Sequence, residues 1–365
     1  MRPFLIFSCL FVLISCQDPG ISTLSIAKIN SLDNISIPID SILIDGGQLV
    51  SFKERFGNTE YLYRTRPFAN GVQSINLGNG DSEIITIPKE GPNGIRRIQS
   101  FIVKDDGSYL VAADEKIVSL DTQGRIIDQF RFFPNNMDME LHGPYIIRAT
   151  HEFPLQEYKG DLVVHLERDD SDDYSFPFHY QGPFLGLLDI EKRIAIPLSV
   201  EWPDQTQYYG FTHQPFFSVV EEDIVYGFAY SPHIYRFSLE SDLTQSFYQE
   251  PFKGLSNDSF KGSFDEVELL SHRSKSVVYG EVVYDEESNR YCQLVFVPPV
   301  PSHPMYGKAQ FIGVRLFDEN LTLIGEETLP GGMAPEAYFF NGELFVRFIK
   351  DVPENALFLR RVYVE

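Results

Sequence analysis

The stretch SFIVKDDGSYLVAADEKIVSLDTQGRIIDQF, residues 100–130, decides the fold. An apolar run, Ser100-Phe101-Ile102-Val103, stops at Asp105-Asp106-Gly107 and resumes as Tyr109-Leu110-Val111-Ala112. A second pair follows: Ile117-Val118-Ser119-Leu120, the turn Asp121-Thr122-Gln123-Gly124, and Ile126-Ile127-Asp128-Gln129-Phe130. Asp and Asn cap their own backbone in such turns, and Gly accepts positive φ. The stretch therefore reads as four short antiparallel strands.

The same phrase recurs along the chain. Its hairpins are Gln73–Leu77 with Ile84–Ile87, Leu185–Leu198 around Glu191-Lys192, Ile234–Phe247 around Glu240-Ser241-Asp242, and Phe311–Leu329 around Asp318-Glu319-Asn320. A further upstream pair is Phe216–Val220 and Ile224–Phe228 across Glu221-Glu222-Asp223. Four strands in each of several 40- to 65-residue units is the pattern of a β-propeller. The expected units fall near 46–88, 97–133, 144–199, 211–249, 262–330 and 335–365. The last ends one strand short, and Asn34–Ile44 is spare, so this N-terminal segment is expected to complete it and remove an open sheet edge. The fold class expected is all-β: a six-bladed propeller of four-stranded antiparallel blades, forming one domain over residues 34–365. An array of packed β-sandwich sheets is the alternative.

The N-terminus reads as an address. Arg2 precedes an apolar run, Phe4–Ile14, that is far shorter than the roughly 20 residues a spanning helix needs. It ends in Leu13-Ile14-Ser15-Cys16, which resembles the bacterial lipobox. Residues 1–15 are expected to be a lipoprotein signal peptide, Cys16 the lipidated residue, and 16–33 a tether. A signal peptide with a chance cysteine is the alternative, but Leu13 stands where an ordinary cleavage site takes a small residue. The expected place is the cell envelope, held by lipid to a membrane, with the outer membrane as the expected one.

The net charge is −22, and loss of Arg2 makes the mature chain more acidic still. Such a surface repels nucleic acid and anionic headgroups, so no nucleic-acid partner is expected and the lipid must do the anchoring. Of three cysteines, Cys9 leaves with the signal and Cys16 is lipidated, which leaves Cys292 no intrachain partner.

No nucleophile elbow, zinc-binding histidine pair, phosphate loop or Cys-x-x-Cys site occurs, so no catalytic residue is assigned. The densest charge is Asp169, Asp170, Asp172 and Asp173. It superficially resembles a calcium loop, yet Tyr174 stands where that motif needs Gly. Calcium is thus a weak expectation and no other cofactor is expected. These aspartates, Asp114-Glu115, Asp285-Glu286-Glu287, and Asp351 with Glu354 are expected to gather on one face, in loops between second and third strands. Trp202, Asp204, Tyr208, Tyr209 and His213 share the connection between units three and four. Aromatics beside a carboxylate suit stacking on a sugar or peptide; packing between blades is the alternative. Pro298–Pro304 reads as a stiff insertion in blade five.

Glu90-Gly91-Pro92-Asn93-Gly94-Ile95, Leu120–Gly124, Arg66-Pro67-Phe68-Ala69-Asn70 and Phe317-Asp318-Glu319-Asn320-Leu321 resemble the Bacteroidota lipoproteins of domain-of-unknown-function family 4221. The resemblance implies a six-bladed propeller in the cell envelope and no reaction. Gln17-Asp18-Pro19-Gly20 has one acidic residue where Bacteroidota surface-export signals usually have several, so the face of the membrane stays open. The expected function is a non-catalytic propeller binding a ligand, glycan, peptide or protein partner at one face. A glycan-acting enzyme using channel carboxylates and a structural subunit of an envelope complex are the alternatives.

Inhibition of lipoprotein signal peptidase is expected to leave the precursor uncut. Normal processing and release of Cys16→Ala would contradict lipidation at that residue.

Overall fold

The computed structural model describes residues 29–38, 50–56, 59–66, 70–76, 79, 81–91, 94–132, 138–150, 154–168, 182–204, 207, 215–261, 266–297, 311–329, 333–340, 342–348 and 356–364. These form six antiparallel sheets, the blades of a six-bladed propeller. Blade one is Val50–Phe56, Thr59–Arg66, Gly71–Asn76 and Ser82–Thr86. Blade two, from the opening stretch, is Ile98–Val103, Tyr109–Ala113, Lys116–Leu120 and Ile126–Arg131. Blade three has a divided first strand, Tyr145–Arg148 and Gln156–Tyr158, then Asp161–Arg168, Leu185–Asp189 and Ile194–Pro197. A short parallel strand, Glu140–Leu141, pairs with its outer edge. Blade four is Pro215–Val220, Asp223–Phe228, His233–Ser238 and Leu243–Tyr248. Blade five is Val278–Asp285, Arg290–Val297, Phe311–Phe317 and Leu323–Thr328, preceded by a helix, Glu266–Arg273.

Blade six takes Met333–Phe340, Glu343–Phe348 and Ala356–Val364 from the C-terminus and Ile29–Pro38 from the N-terminus. The closing strand runs antiparallel from Ile29, opposite Val364, to Pro38, opposite Ala356. It starts five residues before the expected Asn34, inside the segment expected as tether. Pro38 ends it, since proline offers the ladder no N–H.

The innermost strands form a ring. Contacts join neighbouring first strands from blades one to two, three to four, four to five, five to six and six back to one. Hydrogen bonds stitch several joins. The Ser100 hydroxyl accepts from the Leu155 N–H at 2.9 Å, and Gln156 donates to the Phe217 carbonyl at 2.7 Å while accepting from the Val219 N–H at 2.6 Å. The Ser218 hydroxyl donates to the Val282 carbonyl at 2.5 Å. Between the blades lie apolar layers, such as Ile102, Leu110, Ile117, Leu162, Val164 and Leu188 between blades two and three. Strands with both faces buried in this way read as near-continuous apolar runs, as Tyr109–Ala113 does.

The join of blades four and five is more elaborate. Arg315 is fully buried, with its guanidinium 5.2 Å and 5.3 Å from the Tyr279 and Phe317 ring centroids, and it donates to the Glu250 carbonyl at 2.7 Å. Phe252 fills the space over Gly313, where a Cβ would lie 2.4 Å from its Cζ. Glycine there is a packing requirement. Cys292 is buried and free, and burial pushes its thiol well above the ordinary range.

Candidate functional site

Strand direction gives the two faces of the ring different contents. Turns between first and second strands, and between third and fourth, share one face, here the hairpin face. Connections between blades, and loops between second and third strands, share the other. Asp285-Glu286-Glu287 belongs to the turn after the first strand of blade five, so it lies on the hairpin face. This corrects the expected single acidic rim. The expectation took this turn for the next loop, a place actually held by residues 298–310, which lie outside the described residues along with the Pro298–Pro304 insertion. Asp285 is buried and its Oδ2 accepts from the Ser288 N–H at 3.0 Å and hydroxyl at 2.6 Å, so it shapes its own turn.

Trp202 is 6% exposed, its ring centroid 4.9 Å from that of Phe184 and 5.1 Å from that of Phe228. It belongs to the core between blades three and four, with Val200 and Phe217, and leaves little ring face for a ligand. Asp204 is half-buried and accepts from the Gln207 side chain. Tyr208, Tyr209 and His213 lie outside the described residues, as do Cys16, Asp169, Asp170, Asp172 and Asp173. Among the described residues no three His, Cys, Asp or Glu stand together as metal ligands.

A different set emerges from the inner strands, five of which break register in or near the half where they begin. In blade one Val50 and Phe52 pair with adjacent residues, Arg64 and Tyr63, leaving Ser51 extra; in blade two Ile98 and Ser100 leave Gln99 extra. In blade three the strand departs after Arg148 and returns at Gln156. In blade five Gly280 and Glu281 together face Leu294, and in blade six residues 334–336 together face Arg347. Blade four alone runs unbroken from Pro215 to Val220. A bulge puts two residues opposite one and re-aims a side chain, a device common beside functional sites. Inner strands begin at the face of the inter-blade connections, so these irregularities cluster toward that mouth of the channel.

Two carboxyls stand at them. Glu336 is bound on both oxygens: Oε1 accepts from Arg347 Nη1 at 2.6 Å and Oε2 from the Tyr338 hydroxyl at 2.7 Å. Burial pushes its carboxyl up, against the pull of Arg347 and the Tyr338 hydrogen bond. Tyr338 is buried and its phenol is held well above the usual range, first by burial, then by Glu336, with a smaller contribution from Glu281. Glu281 has no hydrogen bond or ion pair among the described residues. Solvent reaches its side chain, yet protein surrounds it, and this desolvation pushes its carboxyl up to about 7. Glu281 can donate or accept a proton near neutral pH, and Glu336 is anchored by Arg347 and Tyr338.

Sequence reading passed over both glutamates, although each carries a signal. Gly280 interrupts the strand VYGEVVYD and Pro335 the strand MAPEAYFF, and Gly or Pro inside a strand marks a bulge.

The motifs of the resemblance have structural roles. Buried Asn70 donates to the carbonyls of Ile87 and Ile95, tying the ends of the Glu90–Ile95 run. Asp121 Oδ1 accepts from the N–H groups of Gln123 and Arg125, both at 2.9 Å. Asp318 Oδ1 repeats this with Asn320 and Thr322 at 2.9 Å and 2.8 Å, so the same turn closes blades two and five.

A family profile described as domain of unknown function (DUF4221) matches residues 27–328. The chain belongs to this family. A solved DUF4221 member from Bacteroides vulgatus shares 15% identity at a TM-score of 0.75, with 94% of this chain and 99% of that one covered. A protein of Bacteroides fragilis described as exported shares 11% identity at a TM-score of 0.54, covering 95% and 97%. At these identities the likeness is one of fold. No curated protein matches the chain. Among the described residues no helix is long and apolar enough to cross a membrane.

The pH dependence of stability checks the Glu281 environment. A carboxyl raised on folding costs nothing while protonated in both states, below about 4.5, and its full penalty is present above about 7. Stability should therefore fall across this window. Glu281→Gln should flatten the melting-temperature profile between pH 4.5 and 7.5; profiles parallel to the wild type would contradict the enclosed setting.

Proposed function

We propose that this DUF4221 chain is a lipid-anchored protein of the bacterial envelope that binds a ligand or protein partner, without catalysis, at the connection-side mouth of its channel. The observation that carries the binding site is the pair of bulged inner strands in adjacent blades, one carrying Glu281, which has no hydrogen bond or ion pair among the described residues, and the other Glu336, held by Arg347 and Tyr338. A carboxyl enclosed by protein and with no partner among the described residues is costly to keep, and a ligand offering a cationic or hydrogen-bond-donating group relieves that cost. Glycans, peptides and basic protein side chains offer such groups; a nucleic acid is disfavoured by the net charge of −22. The anchor is carried by the Leu13–Cys16 pattern, and the exported character given for the Bacteroides fragilis protein agrees with an envelope location.

One observation favours the enzymatic reading. Glu281 and Glu336 meet unequal surroundings, one without a partner among the described residues and one paired with Arg347, and such inequality separates an acid from a base in hydrolysis of glycosidic bonds. The absence of a catalytic motif keeps binding first.

The test is a thermal-shift screen of residues 17–365 against glycans, peptides and metal ions, repeated with Glu281→Gln. A stabilising compound whose effect is lost in that variant supports the channel site, and turnover of a bound glycan would favour the enzyme. Stabilisation undiminished in Glu281→Gln would remove the site from the channel.

A further inference from the structure

We infer that the lipid anchor holds the propeller by its hairpin face, so that the channel mouth bearing Glu281 points away from the membrane. The inference rests on lipidation of Cys16, the reading proposed above. Its own basis is the direction of the closing strand.

That strand is the outermost of blade six. It begins at Ile29 opposite Val364 and ends at Pro38 opposite Ala356. The neighbouring strand runs from Ala356 to Val364, starting at the connection face and finishing at the hairpin face. Ile29 therefore lies at the hairpin face, on the rim. Everything before it, Cys16 included, reaches the ring from that side.

Chain length decides whether the ring can turn over. Residues 17–28 alone separate Cys16 from Ile29. Thirteen Cα steps span at most about 45 Å when fully extended. The nine residues of Ala356–Val364 give the blade a height of about 30 Å. To press the connection face on the bilayer, the segment would have to run back along the whole outer wall, taking up about two thirds of its full extension. With the hairpin face toward the bilayer it needs no such extension. The entropy of the chain thus opposes the inverted arrangement.

The turns on the hairpin face are acidic, as at Asp106, Asp121, Glu191, Glu222, Asp242 and Asp318. Such a face is repelled by anionic headgroups, so it is held near the lipid without lying on it. The opposite face, with the channel mouth, stays open to large partners.

The experiment uses the acylated mature chain in phosphatidylcholine vesicles containing a nitroxide headgroup lipid. One fluorophore is placed at Glu286→Cys, an exposed turn position on the hairpin face, or at Glu201→Cys, an exposed position in the connection between blades three and four. Asp105→Cys provides a second hairpin-face position in another blade, and Cys292 is buried from the label. Labels at Glu286→Cys and Asp105→Cys should be quenched at least about two-fold more than the label at Glu201→Cys. Equal quenching, or the reverse order, overturns the orientation. Flotation of Cys16→Ser reads the anchor separately: if it binds vesicles as well as the acylated chain, the anchoring reading fails and the orientation falls with it.

Discussion

The pairing of Ile29–Pro38 with Ala356–Val364 is the constraint on which the rest of the molecule depends. A propeller blade buries apolar side chains on both faces, so an incomplete or displaced last blade would expose its neighbours. Eight paired positions hold the closure, and cross-strand pairs contribute roughly 0.2–1 kcal/mol each. The join brings together the two ends of the chain, so its contacts have the largest loop-closure cost in the fold and form against it. Once the ring is shut, the five internal joins need only neighbours in sequence, and the inner strands are forced around a common axis.

That geometry sets the irregular halves of the inner strands toward the connection face. The inner strands lie nearest the sixfold axis of the ring, and they are bulged at Ser51, Gln99, Gly280-Glu281 and residues 334–336. Glu336 is paired with Arg347 and hydrogen-bonded by Tyr338, whereas Glu281 has no hydrogen bond or ion pair among the described residues. The asymmetry comes from the partners, since both glutamates sit on equivalent strands of adjacent blades.

Much of the fold was legible in the sequence because its signals are local. Asp121-Thr122-Gln123-Gly124 and Asp318-Glu319-Asn320 specify turns through their own side chains, and the apolar runs beside them have nowhere to go but a buried sheet. The order of loops was less legible. Asp285-Glu286-Glu287 and the prolines after Val297 both look like connections, and only the pairing of Val283 with Cys292 shows that the first is a tight turn. The site was least legible. Trp202 drew attention through its chemistry but serves the core between blades three and four, where Phe184 and Phe228 flank it. Gly280 and Pro335 mark the bulges beside Glu281 and Glu336, but only the register shows that the two bulged strands are the inner strands of adjacent blades.

Amide hydrogen exchange across the closing strand tests the central claim most directly. The closed ring predicts that the amides of Ile29–Ile37 which pair with Ala356–Val364 are protected to the same degree as those of the third and fourth strands of the other blades. Rapid exchange in the N-terminal segment, with Ala356–Val364 still protected, would show that the two ends do not pair and that the ring is closed in some other way.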